Sequence, residues 1–308
     1  MPQPTASINE DKRDEDTRLA QQQVDRNVAD IMQKLEAKTF DPQADAELLG
    51  ELVENFSDSR GLTRMAIAEA LAEVGKPSSP YLIPAIANHP DPVVRRAAAK
   101  TMTLIADRAA IPTLIHALLN DDDTVVHGSA AGALARMGEE AVPELLSILA
   151  NPATPQITIG HVAWALAFIG AEASEPIYAA IDSDSSEVRS AVVGAISNIA
   201  ENHPEPRAFM LLLNALQDSS QSVRSEAASA IAKIKYREGI PHLLQLFQSQ
   251  EAEDCKAAAL ALMKLEAHEA IQPLEDRLAA VSDESLTKIL SLALGQIQRS
   301  LEEEEDGW

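Results

Sequence analysis

The chain has one cysteine, Cys255, and only twelve glycines, two tryptophans, three tyrosines and five phenylalanines in 308 residues. A single thiol excludes an internal disulfide and a cysteine-ligated metal cluster within the chain. Sparse glycine, with no GxxxxGK[ST] run, argues against a phosphate-cradling loop or a dinucleotide fingerprint. Cations are also scarce: 25 Lys plus Arg stand against 48 Asp plus Glu, for a formal net charge of −23. Nucleic-acid phosphates repel such a surface, so no nucleic-acid partner is expected. Long hydrophobic runs are missing as well. The most apolar stretch, Val162–Gly170, is far shorter than the ~20 residues of a bilayer-spanning helix, and no direct membrane insertion is expected. The first residues, MPQPTASINEDKRDEDTR, are polar and contain no apolar stretch of signal type. A cytoplasmic protein is expected.

What the chain does contain is alanine and leucine in a repeating pattern. Its hydrophobic share is 46% with only 3% aromatic, so small and aliphatic residues must build the core. Segments of one kind end at Gly75, Ala106, Gly138, Gly170, Ala200, Lys235, Glu266 and Gln298, at steps of 31, 32, 32, 30, 35, 31 and 32 residues. Such a period signals stacked supersecondary units. Each unit has two helical halves. The first opens near a proline, at Pro80, Pro112, Pro143, Pro176, Pro241 and Pro273, where the first helical turn tolerates the missing N–H. An acidic turn such as Asn120-Asp-Asp-Asp follows, and its aspartates can cap the second helix. That helix spaces apolar residues three and four apart, as in Ala130, Ala133, Leu134 and Met137.

The recurring Asp-x-x-Val-Arg, Ala-Ala-x-Ala-Leu, Ile-Gly and Ile-Pro-x-Leu elements resemble HEAT repeats of the short, PBS-lyase-like kind, related to the cyanobacterial phycobilin lyases. The resemblance covers residues 58–298 and implies an all-α fold, an α-α superhelix of seven to eight helical pairs. Upstream, residues 16–57 read as an N-terminal helical cap with a stripe of Leu19, Val24, Val28, Ile31, Met32 and Leu35. Residues 1–15 are expected to be disordered, and 299–308 to form an acidic, solvated tail.

Aligned units sample each structural slot several times within one chain. Ala70, Thr101, Ala133, Ala165, Ala195, Ala230 and Ala261 keep one slot small, and Leu71, Met102, Leu134, Leu166, Ile196, Ile231 and Leu262 keep the next one large and apolar. Both are expected to be core. Another slot reads Arg64, Arg95, His127, Ile159, Arg189, Arg224, Cys255. By the resemblance, Arg95, Arg189 and Arg224 are structural, pairing with turn carboxylates of neighbouring units. The ladder breaks at His127 and Ile159.

Three outward slots on the second helix are filled mostly by small or charged residues, except in one unit. There His161, Trp164 and Phe168 share a helix face by i, i+3, i+4 spacing. Gly132 and Gly160 leave room beside them, and Asn198 occupies the Phe168 slot of the next unit. Two readings follow. The rings fill space against neighbouring helices, or they form an exposed patch that anchors a ligand or partner. In the second reading His127 and Arg136 lie alongside and meet a carboxylate of that ligand. The remaining histidines, His89, His116, His203, His242 and His268, lack metal-ligand spacing, so no metal site is expected.

The resemblance implies a protein-binding scaffold or chaperone for a phycobiliprotein or another photosynthetic-complex client, reached at thylakoids only through that protein partner. The alternative it implies is a phycobilin lyase or isomerase. Such an enzyme takes phycocyanobilin, a linear tetrapyrrole, as substrate rather than as a resident cofactor, and works with a second HEAT-repeat subunit. A third reading is an accessory factor in cofactor or iron–sulfur assembly, with Cys255 contributing.

Overall fold

The computed structural model describes the backbone of residues 5–306, and the side-chain surroundings of residue 15 and residues 17–303. It divides into two compact units, Met1–Ala141 and Val142–Trp308. Every element among the described residues is helical. The first unit holds α1 (Thr5–Glu36), α2 (Ala46–Glu54), α3 (Gly61–Val74), α4 (Ser79–Asn88), α5 (Pro92–Ile105), α6 (Ile111–Asn120) and α7 (Thr124–Arg136). The second holds α8 (Val142–Ala150), α9 (Gln156–Ile169), α10 (Ser174–Ala179), α11 (Ser186–Asn202), α12 (Pro206–Ala215), α13 (Gln221–Lys233), α14 (Ile240–Phe247), α15 (Ala252–Lys264), α16 (Ile271–Ala280) and α17 (Glu284–Asp306). From α2 onward the helices form pairs. Second helices pack in series, α3 on α5 on α7 in one unit and α9 on α11 on α13 on α15 on α17 in the other.

Local chemistry explains the helix limits. Pro80, Pro112, Pro206 and Pro241 sit in the opening turns of α4, α6, α12 and α14. Asp91 accepts a hydrogen bond from the Val93 N–H at α5, and Asp123 accepts from Val125 and Val126 at α7. The repeat ends are chain reversals with positive φ. Gly75, Gly138 and Gly170 adopt it without a Cβ, but Ala106, Lys235 and Glu266 adopt it at φ of 52°, 54° and 50°. Ala200 does not, because α11 runs on to Asn202, which accounts for the long 35-residue step.

The two core slots are buried in every unit, from Ala70 and Leu71 to Ala261 and Leu262. The arginine slot shows a common geometry. Arg64, Arg95, Arg189 and Arg224 each donate to the carbonyl six residues back, those of Asp58, His89, Ser183 and Asp218. This closes the turn before the second helix. The guanidinium of three of them then forks onto an aspartate of the next pair. Arg95 reaches Asp121 at 2.8 Å twice, Arg189 reaches Asp218 at 2.7 and 2.8 Å, and Arg224 reaches Asp254 at 3.0 and 2.9 Å. Each of these three forks thus ties one helical pair to the next.

The ends depart from expectation. Helix α1 begins at Thr5, so residues 5–15 are helical rather than disordered. The segment has no Gly or Pro through Glu36, and once a helix is nucleated each added residue contributes a hydrogen bond without needing a core. Residues 1–4 lie outside the described residues. Helix α17 likewise runs through the acidic segment to Asp306, because Glu302–Glu305 are good helix formers. Residues 307–308 are outside the description. The cap stripe is narrower than predicted: Val24 and Ile31 are buried, while Leu19 and Met32 are exposed. Helix α2 packs on α3 and α4 as a first helix does, so the boundary at 57/58 falls inside the first pair.

Asp218 is held well below the usual carboxylate range, first by the Arg189 hydrogen bonds. At Asp121, burial works the other way, yet the Arg95 hydrogen bonds prevail and the result is again low. A carboxylate lowered in the native state stabilises the fold above its unfolded value of ~4 and loses that contribution as pH drops through the lower native value. Asp218→Asn should cost about 1–3 kcal/mol at neutral pH, and its urea midpoint should fall less steeply below pH ~4 than that of the wild type. Lys235→Gly and Glu266→Gly should each raise stability by about 0.5–1 kcal/mol, read as a higher urea midpoint, by relieving left-handed backbone at a side-chain-bearing residue.

Candidate functional site

The second unit contains a groove of about 510 Å³ formed by α9, α11 and α13. Its origin is visible slot by slot. Helix α11 presents Ser190, Ala191, Gly194 and Ser197 as a low floor, while α9 contributes Trp164 as one wall and α13 contributes Glu226 and Lys233 as the other. Gly194 is placed so that a Cβ there would meet Glu226 Oε1 at 3.3 Å.

Trp164 and Phe168 are each 53% exposed, with ring centroids 5.5 Å apart and planes tilted by 30°. They lean on each other and remain open to solvent, so the rings do not fill a core void. His161, from the same helix face, is half-buried, and Gly160 is exposed with nothing within 4 Å of where its Cβ would be. Asn198 joins the groove as a cross-link. Its Nδ2 donates to the Ala167 carbonyl of α9 at 3.1 Å, and its Oδ1 accepts from Lys233 of α13. Lys233 also pairs with Glu201 at 2.9 Å.

The groove's two carboxylates have opposite environments. Glu187 is held below the usual range by its own backbone N–H and by the hydroxyls of Ser185 and Ser186. Glu226 is pushed up by burial, with Lys233 pulling weakly back. Among the described residues the Glu226 carboxylate makes no hydrogen bond or ion pair. Nearby, Ser197 is 2% exposed and its Oγ has no hydrogen-bond partner.

Of the residues expected at the site, Trp164 and Asn198 line the groove, while Gly160, His161 and Phe168 lie on α9 outside its lining. Gly132, His127 and Arg136 belong to the first unit and do not line this groove. Arg136 is exposed, and a Cβ at Gly132 would meet nothing within 4 Å. His127 has a different task. Its Nε2 lies 2.6 Å from the Asp121 carbonyl, six residues back, which is the turn-closing contact the arginines make.

Cys255 does the same through sulfur. Its Sγ is 3.0 Å from the Ser249 carbonyl, and Arg277 Nη2 comes in at 3.3 Å from Sγ and 3.1 Å from the same carbonyl. The thiol is fully buried, and burial raises its pKa. It therefore cannot reach an iron–sulfur cluster or a substrate.

Glu226 and Lys233 were missed by the sequence reading, although the signal was present. Glu226 is a lone carboxylate in the His161 slot, which otherwise holds Ala66, Ala97, Ser129, Ala191 and Ala257. The apolar stretch Gln156–Asp182, with a mean hydropathy of 1.3 over its most apolar 18-residue window, is not one continuous helix. It breaks at Gly170, where φ is 52°, into α9 and α10, which each pack on α11.

A family model of HEAT repeats matches residues 79–167 and 209–295. The bilin biosynthesis protein MpeU of Synechococcus sp. (strain WH8020) is 35% identical over 259 residues, covering 84% of this chain and 87% of that protein. Among solved structures, the complex of CpcE and CpcF of phycocyanin lyase from Nostoc sp. PCC7120 overlays on 84% of this chain and 95% of that one, with 21% identity and a TM-score of 0.33. The karyopherin Kap121p, bound to the extreme C-terminus of the phosphatase Cdc14p, overlays on 91% of this chain and 38% of its own, with 14% identity and a TM-score of 0.47.

Because its rings are half in solvent, Trp164→Ala should cost less than about 1.5 kcal/mol of stability, whereas Leu166→Ala, two residues away and fully buried, should cost about 2–5 kcal/mol. Urea unfolding of the two variants measures the contrast.

Proposed function

The chain belongs to the HEAT-repeat family, in the branch related to the phycobilin lyases, and from that premise we propose that it handles a linear tetrapyrrole for attachment to a phycobiliprotein client. The observation that carries this reading is the exposed Trp164–Phe168 pair at the edge of a groove, in a chain 35% identical to a bilin biosynthesis protein. Flat, conjugated pigments stack on such rings, and each aromatic contact adds stabilisation beyond its buried area. His161 stands on the same face to meet the pigment's polar edge.

Attachment itself is an addition. The client's cysteine S–H adds across an exocyclic double bond of the pigment, forming one C–S bond and placing the proton on the neighbouring carbon. Nothing leaves, and no oxidant is needed. This chain supplies orientation rather than the thiol, since Cys255 is sealed inside the repeat stack. Holding pigment and client thiol in register converts a bimolecular encounter into a local one, the usual source of rate when no strong acid or base is at hand. A second HEAT-repeat subunit, by family resemblance, completes the client-binding surface.

A scaffold reading uses the same surface without pigment, with the rings anchoring a segment of the client. Titration separates the two. Purified protein mixed with phycocyanobilin should give a sharpened, red-shifted absorbance band, and the Trp164→Ala, Phe168→Ala double variant should bind about tenfold or more weakly while its melting temperature falls by only a few degrees. No spectral change with the wild type, together with retention of the client protein, would leave the scaffold function and remove the pigment.

A further inference from the structure

We propose that the α9–α11–α13 groove seats the tetrapyrrole itself, with the Glu226 carboxylate accepting the pyrrole N–H groups and Lys233 meeting a propionate. This rests on the pigment reading and adds to it the residues that recognise the ligand's polar atoms. The groove is unusual in what it leaves unsatisfied. Burying a carboxylate without a partner is costly, and in native structures such groups are paired or placed where function uses them. Glu226 is half-buried beside a floor of small side chains and has no donor of its own among the described residues. A half-buried carboxylate lining a groove calls for a ligand that brings N–H donors.

The remaining walls specify the rest of that ligand. Trp164 offers a flat apolar face. Lys233 places two of its N–H donors on Asn198 Oδ1 and Glu201, and an ammonium has three, so one is available for an anion. A volume of about 510 Å³ falls within the usual range for small-ligand clefts. The occupant is therefore flat and conjugated, with N–H donors along its middle and carboxylates at its edge, which is the chemistry of a linear tetrapyrrole. A basic peptide would satisfy Glu226 but would meet Lys233 as a like charge.

The slot pattern supports the same placement. Glu226 stands where five other units carry Ala or Ser, and Ala191 and Gly194 on the intervening helix keep the path to Trp164 clear. A Cβ on Gly194 would press on the Glu226 oxygen, so the bare floor is what lets the carboxylate reach into the groove.

The test is a phycocyanobilin titration of wild type, Glu226→Gln and Gly194→Leu, read by absorbance and accompanied by melting curves. Glu226→Gln keeps the shape and removes a half-buried charge that makes no hydrogen bond or ion pair among the described residues, so it should fold with an equal or higher melting temperature. It should bind pigment about tenfold to a hundredfold more weakly, since charge-assisted hydrogen bonds to the N–H groups are lost. The bound band should also shift to the blue, because a carboxylate counter-ion favours the protonated, red-absorbing tetrapyrrole. Gly194→Leu should fill the floor and abolish binding while the protein remains folded. Equal affinity and an unshifted band in Glu226→Gln, with the wild type binding pigment, would overturn this assignment and leave the pigment reading standing. No binding by the wild type would end both. Weakened client binding by Glu226→Gln with an unchanged pigment titration would also overturn it, in favour of a peptide in the groove.

Discussion

The contact between successive second helices is an alanine contact, and most of the molecule follows from it. A single helical pair cannot bury its own apolar stripe, so each unit depends on its neighbours for a core. The slot of Ala165, Ala195, Ala230 and Ala261 lets those helices approach closely, while Leu166, Ile196, Ile231 and Leu262 fill the space behind. With spacing set by the inner slots, the outer slots need not pack, and their size alone shapes the surface. Where α11 offers Ala191, Gly194 and Ser197 between the larger residues of α9 and α13, a groove is the result. The site is thus a consequence of side-chain volume on a fixed lattice, with no special loop or insertion required.

The arginine slot shows how much substitution that lattice absorbs. Its constant task is to reach the carbonyl six residues back and close the turn. Arginine, histidine and cysteine all do so, at Arg189, His127 and Cys255. Only the arginines also fork onto the next pair, which ties adjacent units with charge-assisted bonds. At Cys255 the missing guanidinium is replaced by Arg277 from α16. At Ile159 the turn is closed differently, with Thr154 Oγ1 donating to the Ile148 carbonyl at 2.7 Å and Asn151 Oδ1 accepting from Ala153 at 3.0 Å. The boundary between the two compact units, at 141/142, falls between His127 and Ile159, two successive slots without an arginine.

The repeat fold was legible because each of its signals has a local cause: proline in the first turn, aspartate at the cap, a residue tolerant of positive φ at the end. Helix α2 escaped because it opens without a proline, and the outer turns of α1 and α17 escaped because a solvated helix leaves no apolar stripe to read. The aromatic pair was legible by comparison with sister slots, since Trp164 and Phe168 replace residues such as Gly132 and Asn198. Glu226 and Lys233 were not, because a charge in an outward slot is ordinarily solvated. Only the neighbouring small side chains, contributed by a different helix, turn Glu226 into a desolvated group. His127 illustrates the converse. Its residue type suggested a ligand contact, yet its slot had already assigned it to the turn.

Cost provides the remaining argument. This chain builds its core almost wholly from aliphatic residues and alanine, and its turn aspartates are hydrogen-bonded. Against that background one groove gathers the half-exposed ring of Trp164 and a half-buried carboxylate, Glu226, that makes no hydrogen bond among the described residues. Each feature is unfavourable on its own, by exposure of apolar surface or by loss of hydration without a replacement bond. Local rules broken together at one place, in a structure that obeys them elsewhere, are expected where a ligand makes up the deficit. With Lys233 beside Glu226 on α13, the groove offers three features that are complementary in kind: stacking surface, acceptor and cation within one cleft. A ligand that satisfies all three must be flat, donor-bearing and anionic at its margin, which restricts the chemistry more tightly than any single residue of the groove does.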